Sequence, residues 1–193
     1  MKVLVACEES QAVCKAFRTK GHEAYSCDII ECSGGHPEWH IQGDALTVLN
    51  PQPLPFGGVG IAFQTKDGAR WLFAGGKLNE ERFQKGLEAK EFFMAFLNAD
   101  CERIAVENPI PSSVFELPAY SQTVQPYEHG HPHTKKTCLW LKGLDPLTPS
   151  NVVEPIKGKR FQQKNGNWRY SCWEMEQKGG KNRAGNGLLC NVR

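Results

Sequence analysis

Val3-Leu4-Val5-Ala6-Cys7 is an unbroken apolar run that stops abruptly at Glu8-Glu9-Ser10. Such a run suits a strand buried on both faces. Helical spacing follows at Val13 and Phe17 and carries to Lys20, with Gly21 placed as a natural C-cap. Glu23 to Ile29 then reads as a second strand. Strand, helix and strand within about thirty residues form a βαβ unit, the short route to two parallel strands. The opening of the chain therefore predicts an α/β fold built on a parallel sheet.

Further along, residues 31–40 read as a loop, and Ile41-Gln42-Gly43-Asp44 leads into a short apolar segment ending at Leu49. Residues 50–68 are rich in proline and glycine, with one short strand expected from Val59 to Phe63. Asn79 can cap a helix running to about Leu97, with Phe83, Leu87, Met94 and Leu97 near one face and Phe93 and Phe96 widening it. Ile104-Ala105-Val106 ends in Glu107-Asn108-Pro109, a strand that carries a carboxylate and an amide to its carboxyl end. Pro109 cannot extend a central strand, so the polar pair is expected at a rim, where α/β sheets bind ligands. Thr137 to Leu141 is another strand candidate, and past Pro155 periodicity fades.

With 193 residues, the chain can bury roughly 70% of its unfolded surface without covalent staples. Its eight cysteines form no CxxC pair. Met1 leads straight into a strand, so the cysteines read as reduced thiols of a cytoplasmic protein. No apolar stretch approaches the ~20 residues of a membrane helix, so no membrane association is expected. The charge is uneven: residues 1–156 carry a net −5 and residues 157–193 a net +7. Phe161, Trp168, Tyr170 and Trp173 interleave with those cations. The pattern suits a polyanion with stackable bases, or simply a solvated tail. Two parts are thus expected, 1–156 as the folded domain and 157–193 as an irregular basic tail.

Asp28, at the end of the second strand, stands where an acidic residue holds ribose hydroxyls, and Asp44 could serve an adenine amino group. There is no GxGxxG, which excludes the usual pyrophosphate cradle. An adenosine cofactor without phosphates fits, as does an ordinary α/β sheet with acidic loops. His129, His131 and His133, with Cys138 beyond them, have ligand chemistry but no recognised metal spacing, and Cys32, His36 and His40 form a weaker set. Lys135-Lys136 at a sheet rim could meet phosphates or stand solvated.

Several stretches carry a resemblance: Met1 to Ser10, Gly21 to Asp28, His36 to Asp44, Glu107-Asn108-Pro109, and Gly130 to Leu144. Over roughly residues 1–50 and 68–156 the chain resembles phage and prophage proteins of the DNA cytosine methyltransferase-like group. The resemblance implies a Rossmann-like, mostly parallel sheet with flanking helices, binding S-adenosylmethionine as cofactor and DNA as partner, in the cytoplasm of a bacterial host. It implies that the loop Cys7, Glu8, Glu9, Ser10 and Gln11 holds the methionine part, that Asp28 takes the ribose and Asp44 the adenine. It implies that Glu107, with Asn108, grips the Watson–Crick edge of the target base, and Lys135 and Lys136 lie against nucleic acid. The group carries an apolar strand ending in Pro-Pro-Cys, whose thiol is the attacking nucleophile. Here no cysteine occurs from 33 to 100 and no Pro-Cys dipeptide anywhere. Gln64-Thr65-Lys66-Asp67 runs directly into Gly68-Ala69-Arg70-Trp71-Leu72, as if a central strand and its thiol were deleted. Three functions stand open at this point: an impaired methyltransferase-like protein, a non-catalytic nucleic-acid-binding protein on the same scaffold, and a metal-dependent enzyme using the His129–His133 loop.

Overall fold

A computed structural model describes residues 1–49, 72–74, 77–156, 160–162 and 168–170. The expected strand at 59–63 and most of the basic tail lie outside the described residues. Two compact units are present. Among the described residues, one takes 1–49 and 94–100, and the other takes the rest.

The first unit realises the βαβ pattern. Strand β1 (Lys2–Ala6) pairs in parallel with β2 (Glu23–Asp28), from Lys2 opposite Glu23 to Ala6 opposite Cys27. Between them runs helix α1 (Ala12–Thr19). It ends as expected: Gly21 adopts φ +80 and its N–H donates to the carbonyl of Arg18 at 2.9 Å. A side chain would be strained at that φ, so glycine is the natural residue there. Residues 37–39 make one 3-10 turn, and β3 (His40–Gln42) pairs in parallel with β2. The sheet order is β1-β2-β3. Helix α2 (Ala45–Leu49) follows. Cys14, Ala24, Cys27 and Leu46 are buried in this unit.

The second unit departs from a mostly parallel sheet. Short strands β4 (Phe73–Ala74) and β5 (Lys77–Leu78) pair antiparallel. Helix α3 (Glu80–Leu97) begins where sequence predicts, with the Asn79 Oδ1 accepting from the N–H of Arg82 at 3.1 Å. Strands β6 (Ile104–Pro109), β7 (Gln122–Val124) and β8 (Thr137–Lys142) form a sheet in the order β6-β8-β7, antiparallel throughout. The reason is visible in β8, where buried Cys138 and Trp140 alternate with half-buried neighbours. A fully covered face backed by a partly covered one is within the habit of antiparallel sheets. β6, with Pro109 at its end, is an edge of this sheet among the described residues, where a missing N–H does little harm. In the tail, β9 (Arg160–Gln162) and β10 (Trp168–Tyr170) pair antiparallel, so that stretch is less irregular than its composition predicts.

The core of the second unit lies between α3 and the sheet. The buried residues of α3 there are Gly86, Ala89, Phe92 and Phe93. The helix is thus turned from the expected face: Phe83 and Leu87 are only half-buried, while Phe93 is buried as expected. Small residues at 86 and 89 account for this, because they let bulky partners approach the helix backbone. Phe115, almost wholly buried, packs over Gly86 and stacks at 5.8 Å on Phe83. The Phe93 ring meets Trp140 edge-on at 4.8 Å, and the Trp140 Nε1–H donates to the carbonyl of Pro118 at 2.8 Å. A buried indole is thereby left with no unpaired donor.

Candidate functional site

At the carboxyl end of β1 the chain turns sharply through two left-handed residues, Cys7 at φ 59 and Gln11 at φ 58. Two of the five loop residues expected to hold the methionine part of a cofactor are fully engaged by the fold itself. The Glu8 carboxylate, nearly buried, accepts from the N–H groups of Val13 at 2.6 Å and Cys14 at 3.1 Å. It satisfies donors in the first turn of α1 and places negative charge at the positive end of the helix. Gln11 is completely buried. Its amide accepts from the N–H of His36 at 3.0 Å and donates to the carbonyl of His36 at 2.7 Å and to the Ser26 hydroxyl at 3.3 Å. Glu9 accepts from Ser33, through its carbonyl at 2.9 Å and through its carboxylate. Ser10 Oγ accepts from the N–H of Ala12 at 3.5 Å. Residues 7–11 and 31–36 therefore clasp one another, and Gly34 sits against Gln11 and the Ser10 carbonyl with no room for a Cβ.

The acidic pair is left more open. Asp28 Oδ1 accepts from the N–H of Ile30 at 3.3 Å, and Asp44 Oδ1 accepts from the N–H of Leu46 at 2.9 Å, capping α2. Among the described residues, each uses one carboxylate oxygen. The N–H of Gly43 donates to the Asp28 carbonyl at 2.8 Å, tying the two loops together. Both carboxylates act on the Cys7 thiol. Burial first, then Asp28, Cys27 and Asp44, push its pKa up to about 12. Cys7, Asp28 and Asp44 thus share one electrostatic neighbourhood at the rim of three parallel strands.

The second unit has its own rim at the end of β6. Glu107 stands opposite Leu139 and Asn108 opposite Cys138 in the β6–β8 ladder. Consecutive side chains of a strand point to opposite faces, so these sequence neighbours do not act as a side-by-side pair. Asn108 shares the buried face with Cys138 and Trp140. It is fully buried, and among the described residues neither Oδ1 nor Nδ2 has a hydrogen-bond partner. An orphaned amide of this kind is costly and needs a reason. Glu107 is on the other face. Burial holds its pKa above the usual carboxylate range, opposed by Lys135. Lys136 opposes the burial of Cys138 in the same way.

Among the described residues, no three His, Cys, Asp or Glu side chains are grouped to hold a metal ion, and no helix is long and apolar enough to cross a membrane. His129 Nδ1 lies 3.1 Å from the Ser150 hydroxyl, pairing instead with a neighbouring loop. Compared with protein-family models, curated proteins and solved structures, the chain matches none. The opposite faces of Glu107 and Asn108 could have been read from the period of two. The structural roles of Glu8 and Gln11 could not, because they depend on two left-handed backbone positions that the residue types do not announce.

Proposed function

We propose that this chain is an S-adenosylmethionine-dependent DNA cytosine methyltransferase-like protein whose capacity for methyl transfer is impaired. The observation that carries the binding half is the pair Asp28 and Asp44, each with one oxygen committed, at the carboxyl ends of β2 and β3. The order of β1, β2 and β3 is that of one half of a dinucleotide fold, and acidic residues at those ends suit ribose hydroxyls and an amino-bearing ring. S-adenosylmethionine would supply the electrophilic methyl group. Glu107 keeps its proton to higher pH than an exposed glutamate, which suits a carboxyl group that donates to the ring nitrogen of an extruded base.

Impairment follows from the thiol chemistry. Carbon 5 of cytosine becomes nucleophilic only after a thiolate adds at carbon 6. Burial, with Asp28, Cys27 and Asp44 adding to it, pushes the Cys7 pKa up to about 12, so its thiol stays protonated at neutral pH. Cys138 is fully buried and its pKa is raised as well. This favours, as second reading, a protein that binds nucleic acid on the same scaffold without turnover.

Isothermal titration of the full chain with S-adenosylmethionine tests the first reading. Binding that weakens at least tenfold in Asp28→Ala and Asp44→Ala is the expected result. No heat at high micromolar cofactor sinks it. Transfer of a labelled methyl group to DNA, measured beside the titration, separates an active enzyme from a binding protein.

A further inference from the structure

A second feature of the first unit lies apart from Asp28 and Asp44. A groove of about 490 Å³ lies along α1, lined by Lys15, Arg18, Thr19, His36 and Trp39. That volume is in the range of small-molecule sites. Its floor is an ordered stack. The Arg18 guanidinium lies 5.4 Å from the centre of the Tyr25 ring and 4.2 Å from that of Trp39, and the His36 ring stacks on Trp39 at 3.8 Å with only 12° between planes. The column is fixed from below. Arg18 Nε donates to the carbonyl of Ala24 at 2.8 Å, Lys15 Nζ to that of Gly34 at 3.2 Å, and Gln11 holds both backbone groups of His36. Arginine and lysine thus stand in fixed places beside two stacked rings. The column ends at His36, whose side chain is 40% exposed.

We infer that this groove binds a nucleotide unit, with Lys15 and Arg18 on the phosphate and a base extending the ring column at His36. Cations recognise phosphate oxygens, and a flat base continues a stack without regard to its identity. The inference stands apart from the methyltransferase reading, since Asp28 and Asp44 take no part in it.

The test uses the full chain and a fluorescently labelled 12-nucleotide single-stranded DNA, followed by anisotropy, with unlabelled dCMP as competitor. Lys15→Met removes the cation and keeps the aliphatic stem. It should weaken the 12-mer by roughly five- to tenfold and lower the salt slope by about 0.7, while S-adenosylmethionine binding is unchanged. Lys77→Met, at an exposed lysine outside the groove, should leave the affinity as it is. Competition by dCMP that is lost in Lys15→Met identifies a mononucleotide site, and binding of the 12-mer alone identifies a strand site. Equal effects of the two lysine variants, or no binding of either probe, overturn the inference. Circular dichroism melting of Lys15→Met and His36→Ala checks that both remain folded, and His36→Ala, which removes the ring at the end of the column, must also weaken the probe that binds.

Discussion

Gln11 and His36 hold each other through two hydrogen bonds, the Gln11 Oε1 accepting from the His36 N–H at 3.0 Å and the Gln11 Nε2 donating to the His36 carbonyl at 2.7 Å. A side chain here does the work of a missing strand neighbour, satisfying both backbone groups of one loop residue. Its truncation leaves those groups short of partners in a place with little room for water. Gln11→Ala should destabilise the protein by about 2–3 kcal/mol. Gln11 also sits at φ 58, where a Cβ costs roughly 1 kcal/mol. Gln11→Gly should therefore be no worse than Gln11→Ala, although glycine ordinarily loosens the unfolded chain. Urea denaturation of the two variants decides the matter.

That relationship shows where sequence reading reached and where it stopped. The βαβ unit was legible because each element announces itself locally: an apolar run, a helical spacing, a glycine at the C-cap. Asn79 and β8 were legible for the same reason. The antiparallel second sheet was not, because direction of pairing depends on partners far apart in sequence, as between β6 and β8. The three-residue β7 is too short to show a period. At the site, acidic residues at strand ends marked Asp28 and Asp44. Glu8 has the same chemistry and nearly the same position, yet α1 takes both of its carboxylate oxygens, where Asp28 and Asp44 each commit one among the described residues.

Glu107 gives a pH prediction. Its pKa is raised in the fold, by burial, with Lys135 acting the other way. A carboxyl group whose folded pKa exceeds its unfolded value holds more protons in the native state between the two. Its contribution is fully present below the unfolded pKa and is lost as pH rises through the folded one. Glu107→Gln should therefore gain stability relative to the parent as pH rises above about 4.5, the ordinary value for glutamate, with no gain at lower pH. Lys135→Met removes the opposing charge and should move the Glu107 titration still higher, as read by carboxyl carbon NMR. A titration that moves down in Lys135→Met would contradict the proposed proximity.

Thiol reactivity separates the cysteines. Cys7 has its pKa pushed up to about 12, and burial also raises those of Cys14, Cys27 and Cys138. Cys101 is exposed. Iodoacetamide at pH 8, followed by peptide mapping, should label Cys101 early and the other four late. Asp28→Asn removes a charge that holds the Cys7 thiol protonated and should speed its alkylation by about threefold. Because burial is the larger cause, the same change should leave Cys7 far slower than Cys101. Rapid labelling of Cys7 in the parent would restore it as a candidate nucleophile.

The packing of Phe115 on Gly86 makes the last prediction. Alanine at a helix interior is favoured over glycine by about 1 kcal/mol, so local propensity says that Gly86→Ala should stabilise α3. The tertiary contact says the opposite, because a Cβ at 86 would fall onto the Cζ and Cε1 atoms of the buried Phe115 ring. That ring is held by its stack on Phe83 and cannot swing away without giving up the contact. Overpacking a fixed ring costs about 1–3 kcal/mol, which outweighs the propensity gain over most of its range. Gly86→Ala is therefore expected to lower stability by up to about 2 kcal/mol, measured by urea denaturation. In a Phe115→Leu background the ring is gone and the leucine can adjust, so the same substitution should become neutral or favourable. A double-mutant cycle over the two positions should thus show a coupling of at least about 1 kcal/mol. If Gly86→Ala stabilises both backgrounds alike, the close approach of Phe115 to the helix is not what holds this face of α3 against the core.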